Sequence, residues 1–144
     1  MAAERPFLAK RVQIPSPEWD ATANAVRRAM RLTAELNKLS FDDAAKVRAI
    51  FSELTGKKVD ETFKLIPPFY TASGLEIRVG RKVFINQCCT IYDMGGVDIA
   101  DLVMISVRCQ LSMRVSQLSI RVNCRGHVLY GTPKRAVANA RFGS

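Results

Sequence analysis

The stretch "VGRKVFINQCCTIYDMGG", residues 79–96, decides the fold. Branched aliphatic residues recur at every sixth position, and a small buriable residue follows four positions after each. The two sets are Val79, Ile85, Ile91 and Val83, Cys89, Gly95. Helices repeat about every 3.6 residues and strands every two, so a period of six fits neither as an ordinary element. It is typical of hexapeptide repeats, in which each short strand forms one face of a coil and equivalent side chains stack inward.

The same pattern resumes downstream after a slip of two residues. Its inward positions are then Ile99, Ile105, Leu111 and Val103, Cys109, Val115. The residues that follow the aliphatic positions are mostly small, as tight corners between faces require. They are Gly80, Asn86, Tyr92, Ala100, Ser106 and Ser112. The sequence therefore predicts a parallel β-helix, with ordinary buried strands of alternating Val and Ile as the alternative.

The segment before the repeats has a helical pattern. In "SPEWDATANAVRRAMRLTAELNKL", Ser16 is a candidate N-cap and Pro17 suits the first helical position, and good helix formers continue to Leu39. The predicted apolar stripe of this helix is Val26, Met30 and Leu36.

A second helix is predicted in "SFDDAAKVRAIFSELTG". Ser40 and Asp43 have the spacing of a capping box, and Gly56 is a typical helix stop. Its predicted apolar face is Val47, Ile50, Phe51 and Leu54. The prolines of "KLIPPFYTASG" then favour an extended segment. The predicted fold is mainly β with an α-helical N-terminal segment over 1–62, hexapeptide repeats over 63–116, and a basic tail of uncertain structure over 117–144.

Composition narrows the class of protein. The chain has 144 residues, of which 48% are hydrophobic, enough for one domain with a core. It has no apolar run of ~20 residues and no signal-peptide pattern at its start, so we expect no membrane association and a cytoplasmic location. The single histidine and four cysteines without C-x-x-C spacing predict no metal site and no disulfide framework.

The net charge of +9 can attract phosphate-rich ligands such as nucleic acid or coenzyme A. No helix-turn-helix, basic-flanked aromatic pair or zinc motif is present in the sequence. We therefore expect charge-driven, non-specific affinity and no specific nucleic-acid partner.

The stretch "IPPFYTASGLEIRVGRKVFINQCCTIYDMGGVDIADLVMI", residues 66–105, resembles the central region of the maltose and galactoside O-acetyltransferases, within the hexapeptide-repeat acyltransferases. The shared features are the Pro-Pro-Phe-x-x-x-x-Gly start, the aliphatic-Gly-x-x-Val-Phe-Ile-Asn coil and the glycine-containing slip. With the preceding helices, the resemblance covers about residues 16–112.

This resemblance implies a left-handed parallel β-helix that assembles as a homotrimer, with its active sites in the grooves between subunits. The implied reaction moves an acetyl group from acetyl-coenzyme A to a hydroxyl of a sugar-like acceptor. A histidine would act as general base and backbone or side-chain donors would stabilise the oxyanion, without a metal.

Three residues, Asn86, Asp93 and His127, are candidates for the site. Asn86 matches the family's acceptor-binding asparagine, and Asp93 matches an aspartate that contacts the acceptor. Both also suit purely structural corner or turn roles. Ala72 departs from the family pattern, because an aspartate or serine that holds an acceptor hydroxyl is common there. His127 is the chain's one histidine and the candidate catalytic base.

His127 reaches the site only under one condition. Ungapped alignment puts Ser116 in place of the base, so "SMRVSQLSIRV", residues 112–122, would have to loop out as an insertion. The hexad count fails after Val115, which predicts a truncated or divergent C-terminal part. A catalytically inactive β-helix scaffold is therefore the alternative to an enzyme.

Overall fold

The structure is a computed structural model that describes residues 13–112, 120–122 and 128–129. Two helices come first, α1 (Pro17–Leu36) and α2 (Ala44–Thr55), with a 3₁₀ turn at Phe41–Asp43. The strands that follow are β1 (Lys64–Leu65), β2 (Phe69–Thr71), β3 (Ile77–Val79), β4 (Phe84–Ile85), β5 (Cys89–Tyr92), β6 (Val97–Ile99), β7 (Met104–Ile105), β8 (Gln110–Ser112), β9 (Ile120–Val122) and β10 (Val128–Leu129).

The chain visits three parallel sheets in turn. The first sheet has the order β1-β4-β7-β10, the second β2-β5-β8 and the third β3-β6-β9. We call three consecutive strands, one in each sheet, a coil. Between the first two coils the register is constant, since Phe69 pairs with Cys89 and Ile77 with Val97. Each coil is thus three hexads plus the two-residue slip found in the sequence.

The number of residues between paired strands increases after β8. Ile120 pairs with Val97 and Val128 pairs with Met104, so these steps are a few residues longer than the earlier ones. Strands β9 and β10 both fall within 117–144, the segment for which the sequence predicted a tail of uncertain structure. Because Ser112 ends β8 and Ile120–Val122 is a strand of the third sheet, the hypothesis that all of residues 112–122 loop out is wrong for these four residues.

The inward stack matches the six-residue period. The predicted positions Val83, Ile85, Cys89, Ile91, Ile99, Val103, Ile105, Cys109 and Leu111 are all buried. Val79 is only partly buried but packs against this core, and Val115 lies outside the described residues. Gly80 is needed at its corner because a Cβ there would lie 2.3 Å from the Asp101 Oδ1 and 2.7 Å from the Asp101 N of the next coil. Close stacking of coils therefore explains the small corner residues.

Helix α2 ends and packs as predicted, but the predicted start opens the 3₁₀ turn that precedes its first residue, Ala44. The Ser40 and Asp43 capping box is present, and Gly56 ends the helix with a φ of 67°. Its apolar face covers the first coil, where Phe51 stacks on Phe63 with ring centroids 4.5 Å apart and meets Phe69 edge-on at 5.5 Å. This aromatic cluster closes the N-terminal end of the core.

Helix α1 begins as predicted, with the Trp19 N–H donating to Ser16 Oγ at 3.1 Å, but ends earlier, at Leu36. Its predicted stripe is right at Leu36, which is fully buried, and wrong at Met30, which is 64% exposed, while Val26 is partly buried. The buried stripe is Ala25, Ala29, Leu32 and Leu36. The small side chains of Ala25 and Ala29 let α1 approach its neighbours closely. The helix therefore packs through this alanine face, and the larger Met30 side chain stays exposed.

The end of α1 also covers a strand edge. The Asn37 side chain donates through Nδ2 to the Phe69 carbonyl at 3.1 Å and accepts at Oδ1 from the Phe69 N–H at 2.8 Å. One amide side chain thus replaces the strand that β2 lacks on that side, which protects an edge that could otherwise pair with another chain. Neither described helix is long and apolar enough to cross a membrane.

Candidate functional site

Asn86 lies at the corner between the first and second sheets, directly after β4, and is partly exposed. Its backbone N–H and its side-chain Nδ2 both donate to the Ile105 carbonyl of the next coil, at 3.0 and 3.1 Å. Within the described residues no donor reaches its Oδ1. The structural role therefore uses the amide nitrogen and leaves the amide oxygen able to accept a hydrogen bond from a ligand hydroxyl.

Asp93 lies at the other end of β5, at the corner between the second and third sheets, and is fully buried. Its Oδ1 accepts from the Thr71 hydroxyl at 3.0 Å and the Ser73 N–H at 2.9 Å. Its Oδ2 accepts from the Ser73 hydroxyl at 2.9 Å and the Glu76 N–H at 3.0 Å. Both carboxylate oxygens thus tie the corner of one coil to the corner of the coil before it.

The structure does not bring the predicted site residues together within one chain. Asn86 and Asp93 are separated by strand β5, which spans roughly 13 Å at the usual rise per residue. His127 lies outside the described residues, as does Ser116. Ala72, the departure from the family pattern, has a buried side chain next to the Asp93 cluster.

The partners of Asp93 were not predicted from the sequence. Thr71 and Ser73 stand about 20 residues before the aspartate, one coil earlier, as the pairing of β2 with β5 shows. The coil length, which the hexads and the slip already contain, was the signal that could have matched them. The serine in "TASG" and the aspartate in "YDMGG" occupy neighbouring corners for that reason.

A second polar cluster lies where the end of α2 meets the third sheet. Lys57 Nζ donates to the carbonyls of Thr55 at 2.9 Å and Leu75 at 2.7 Å. Burial, and then the nearby Arg78 guanidinium, lower the pKa of this lysine. Arg78 in turn pairs with Asp98 at 3.4 Å across β3 and β6. These contacts fix the end of α2 to the coils, so the role of this cluster is structural.

The described cysteines divide into one exposed and two buried thiols, none of them in a disulfide. Cys89, in β5, and Cys109, directly before β8, are both buried inward positions, as the sequence predicted. Burial raises the pKa of both thiols, that of Cys109 to about 11. The Cys89 Sγ lies 3.0 Å from the Ser106 carbonyl, which it can reach as a donor. They act as small apolar core residues, and the described residues contain no cluster that could hold a metal ion.

Solved structures similar to this chain have the same kind of fold. One is the hexapeptide-repeat-containing acetyltransferase VCA0836 from Vibrio cholerae, with a TM-score of 0.57 and 31% identity, covering 67% of this chain and 51% of that one. The comparison supports the hexapeptide-repeat acetyltransferase family. A second structure, also of VCA0836 but complexed with acetyl-coenzyme A and from Vibrio cholerae O1 biovar eltor, has a TM-score of 0.55 and 26% identity, covering 72% of this chain and 54% of that one.

These hexapeptide-repeat acetyltransferases do not single out the maltose and galactoside subfamily. The present chain spans about half the length of both structures. No protein-family profile matches the sequence, and no curated protein matches it.

Proposed function

We propose that this protein transfers an acetyl group from acetyl-coenzyme A to a hydroxyl of a sugar-like acceptor. The observation that carries the proposal is the likeness of this chain to two structures of one hexapeptide-repeat acetyltransferase, VCA0836, at 31% and 26% identity, one of them complexed with acetyl-coenzyme A. The proposal includes a left-handed, closed β-helix, a homotrimer with sites between subunits, and a cytoplasmic location.

In the proposed reaction, His127 takes the proton of the acceptor hydroxyl while the oxygen attacks the thioester carbonyl. The carbon–sulfur bond then breaks, and coenzyme A leaves as its thiol with the proton that His127 took from the acceptor. Asn86 holds the acceptor, a role supported by its partly exposed position and its available Oδ1. The proposed reaction uses no metal.

Acceptor binding by Asp93 is also part of the proposal, although this carboxylate is already hydrogen-bonded within the chain. Both of its oxygens accept hydrogen bonds from within the chain. This same observation favours the second candidate function, a catalytically inactive scaffold that keeps the coils and has lost the chemistry. The two candidates differ in whether the donor binds and turns over.

The first test is calorimetric titration of acetyl-coenzyme A into protein whose mass in solution is known from sedimentation velocity. We expect a trimer and saturable binding near one site per chain. Turnover is then measured with a panel of sugar acceptors, as the release of coenzyme A detected by chromatography. His127→Ala should keep donor binding and abolish turnover.

A matched pair of variants tests the acceptor role. Asn86→Ala should raise the KM for the acceptor, whereas Gln87→Ala, at the exposed neighbouring position, should leave it unchanged. Thermal unfolding of both variants separates acceptor binding from loss of the bond to Ile105. Absence of acetyl-coenzyme A binding to the folded trimer would refute the acetyl-transfer proposal and support the catalytically inactive scaffold.

A further inference from the structure

An open groove lies on the outer face of the first two coils, where the third sheet turns into the first. It has a volume of about 370 Å³ and is lined by Thr62, Lys64, Lys82, Val83 and Phe84. A volume of this order suits a small organic ligand. The groove is separate from the Asn86 and Asp93 corners, which belong to the other two turns of the coil.

Two ammonium groups and an aromatic ring share this face. Lys64 pairs with Phe84 on adjacent parallel strands, and both side chains point away from the core because Leu65 and Ile85 point inward. Lys82 is exposed, and its backbone N–H donates to Thr62 Oγ1 at 2.8 Å. Positive charge therefore lies beside a partly exposed ring.

Neither lysine forms an ion pair with any of the described residues. Asp60, two residues before Thr62, is engaged elsewhere. Its carboxylate accepts from the Thr62 N–H at 2.8 Å and pairs with Arg81 at 3.5 Å. The hydrogen bonds from Thr62, followed by the Arg81 charge, lower the pKa of Asp60. The residues that line the groove thus include two lysines and no acid, and Asp60 beside it is already hydrogen-bonded.

We propose that this groove binds a nucleotide, with its phosphates between Lys64 and Lys82 and its base against Phe84. Lysine is a common phosphate ligand, and base stacking on an aromatic side chain tolerates any base. The proposal does not rest on acetyl transfer. A free nucleotide and the nucleotide portion of coenzyme A share this chemistry, so the test must distinguish them.

The test is calorimetric titration with ADP, adenosine and pyrophosphate at fixed salt. ADP should bind more tightly than either fragment, because only ADP uses the lysines and the ring together. The double variant Lys64→Met with Lys82→Asn should weaken ADP binding at least tenfold. Asparagine is chosen because Lys82 has a φ of 53°, a conformation that asparagine tolerates.

Matched controls separate a site from general attraction by a basic protein. Lys46→Met with Lys58→Met removes the same charge from exposed positions elsewhere and should change ADP binding less than twofold. Phe84→Leu should reduce the preference for ADP over pyrophosphate. Lys64→Met alone, at an ordinary strand position, serves if the double variant does not fold.

Equal weakening by the two lysine pairs, or no ADP binding, would overturn the proposal. The ADP titration is repeated with saturating acetyl-coenzyme A. If acetyl-coenzyme A abolishes the ADP binding that depends on Lys64, the groove binds the nucleotide portion of coenzyme A. Unchanged ADP binding would identify a free nucleotide at a separate site.

Discussion

Replacing Asp93 tests whether this buried carboxylate is structural. Asp93→Ala removes the acceptor for two backbone N–H groups, of Ser73 and Glu76, and for the hydroxyls of Thr71 and Ser73. A buried donor left without an acceptor costs about 1–3 kcal/mol. The two backbone donors alone therefore predict a loss of roughly 2–6 kcal/mol in the free energy of unfolding, a large part of the stability of a small domain.

Urea unfolding followed by circular dichroism measures this loss. Asp93→Asn should lose less than Asp93→Ala, since one oxygen remains. Thr71→Val, the matched control, removes one hydroxyl donor and should lose about 1 kcal/mol. In a double-mutant cycle, Thr71→Val should cost little once Asp93 is alanine. A loss below about 1 kcal/mol for Asp93→Ala, with a raised acceptor KM, would refute the structural role and favour acceptor binding.

Three further predictions concern stability. Asn37→Leu should lower the free energy of unfolding by about 1–3 kcal/mol in urea titrations, because both backbone groups of Phe69 lose their partner; an unchanged midpoint would contradict the edge-covering role. Burial raises the pKa of the Cys109 thiol from 9.0 to about 11, so its contribution is complete below pH 9 and is lost as pH rises to about 11. The loss should reach about 2–3 kcal/mol in unfolding curves across that range, and Cys109→Ala should flatten the decline. Leu102→Gly should raise the melting temperature, because a φ of 62° costs a bulky residue about 1–2 kcal/mol, more than the added entropy of glycine in the unfolded chain; a lower melting temperature would show that the exposed leucine makes a contact that outweighs the strain.

Local patterns were sufficient for much of the fold. The period of six places the same kind of side chain inward at each face, so Ile85 and Ile105 were identified as core without knowing their neighbours. The caps Ser16 and Gly56 act on backbone groups within a few residues, and they too were predicted correctly. Asn86 was placed at a corner for the same reason.

Tertiary structure decided what depends on contacts between distant parts of the chain. The buried face of α1 follows from the close approach that Ala25 and Ala29 allow, and the exposed Met30 could not reveal it. The four hydrogen bonds to Asp93 exist because coiling brings residues about 20 positions apart to neighbouring corners. A sequence period fixes which side chains point inward, but the partners of a buried polar group are set by which coils and helices stack on it.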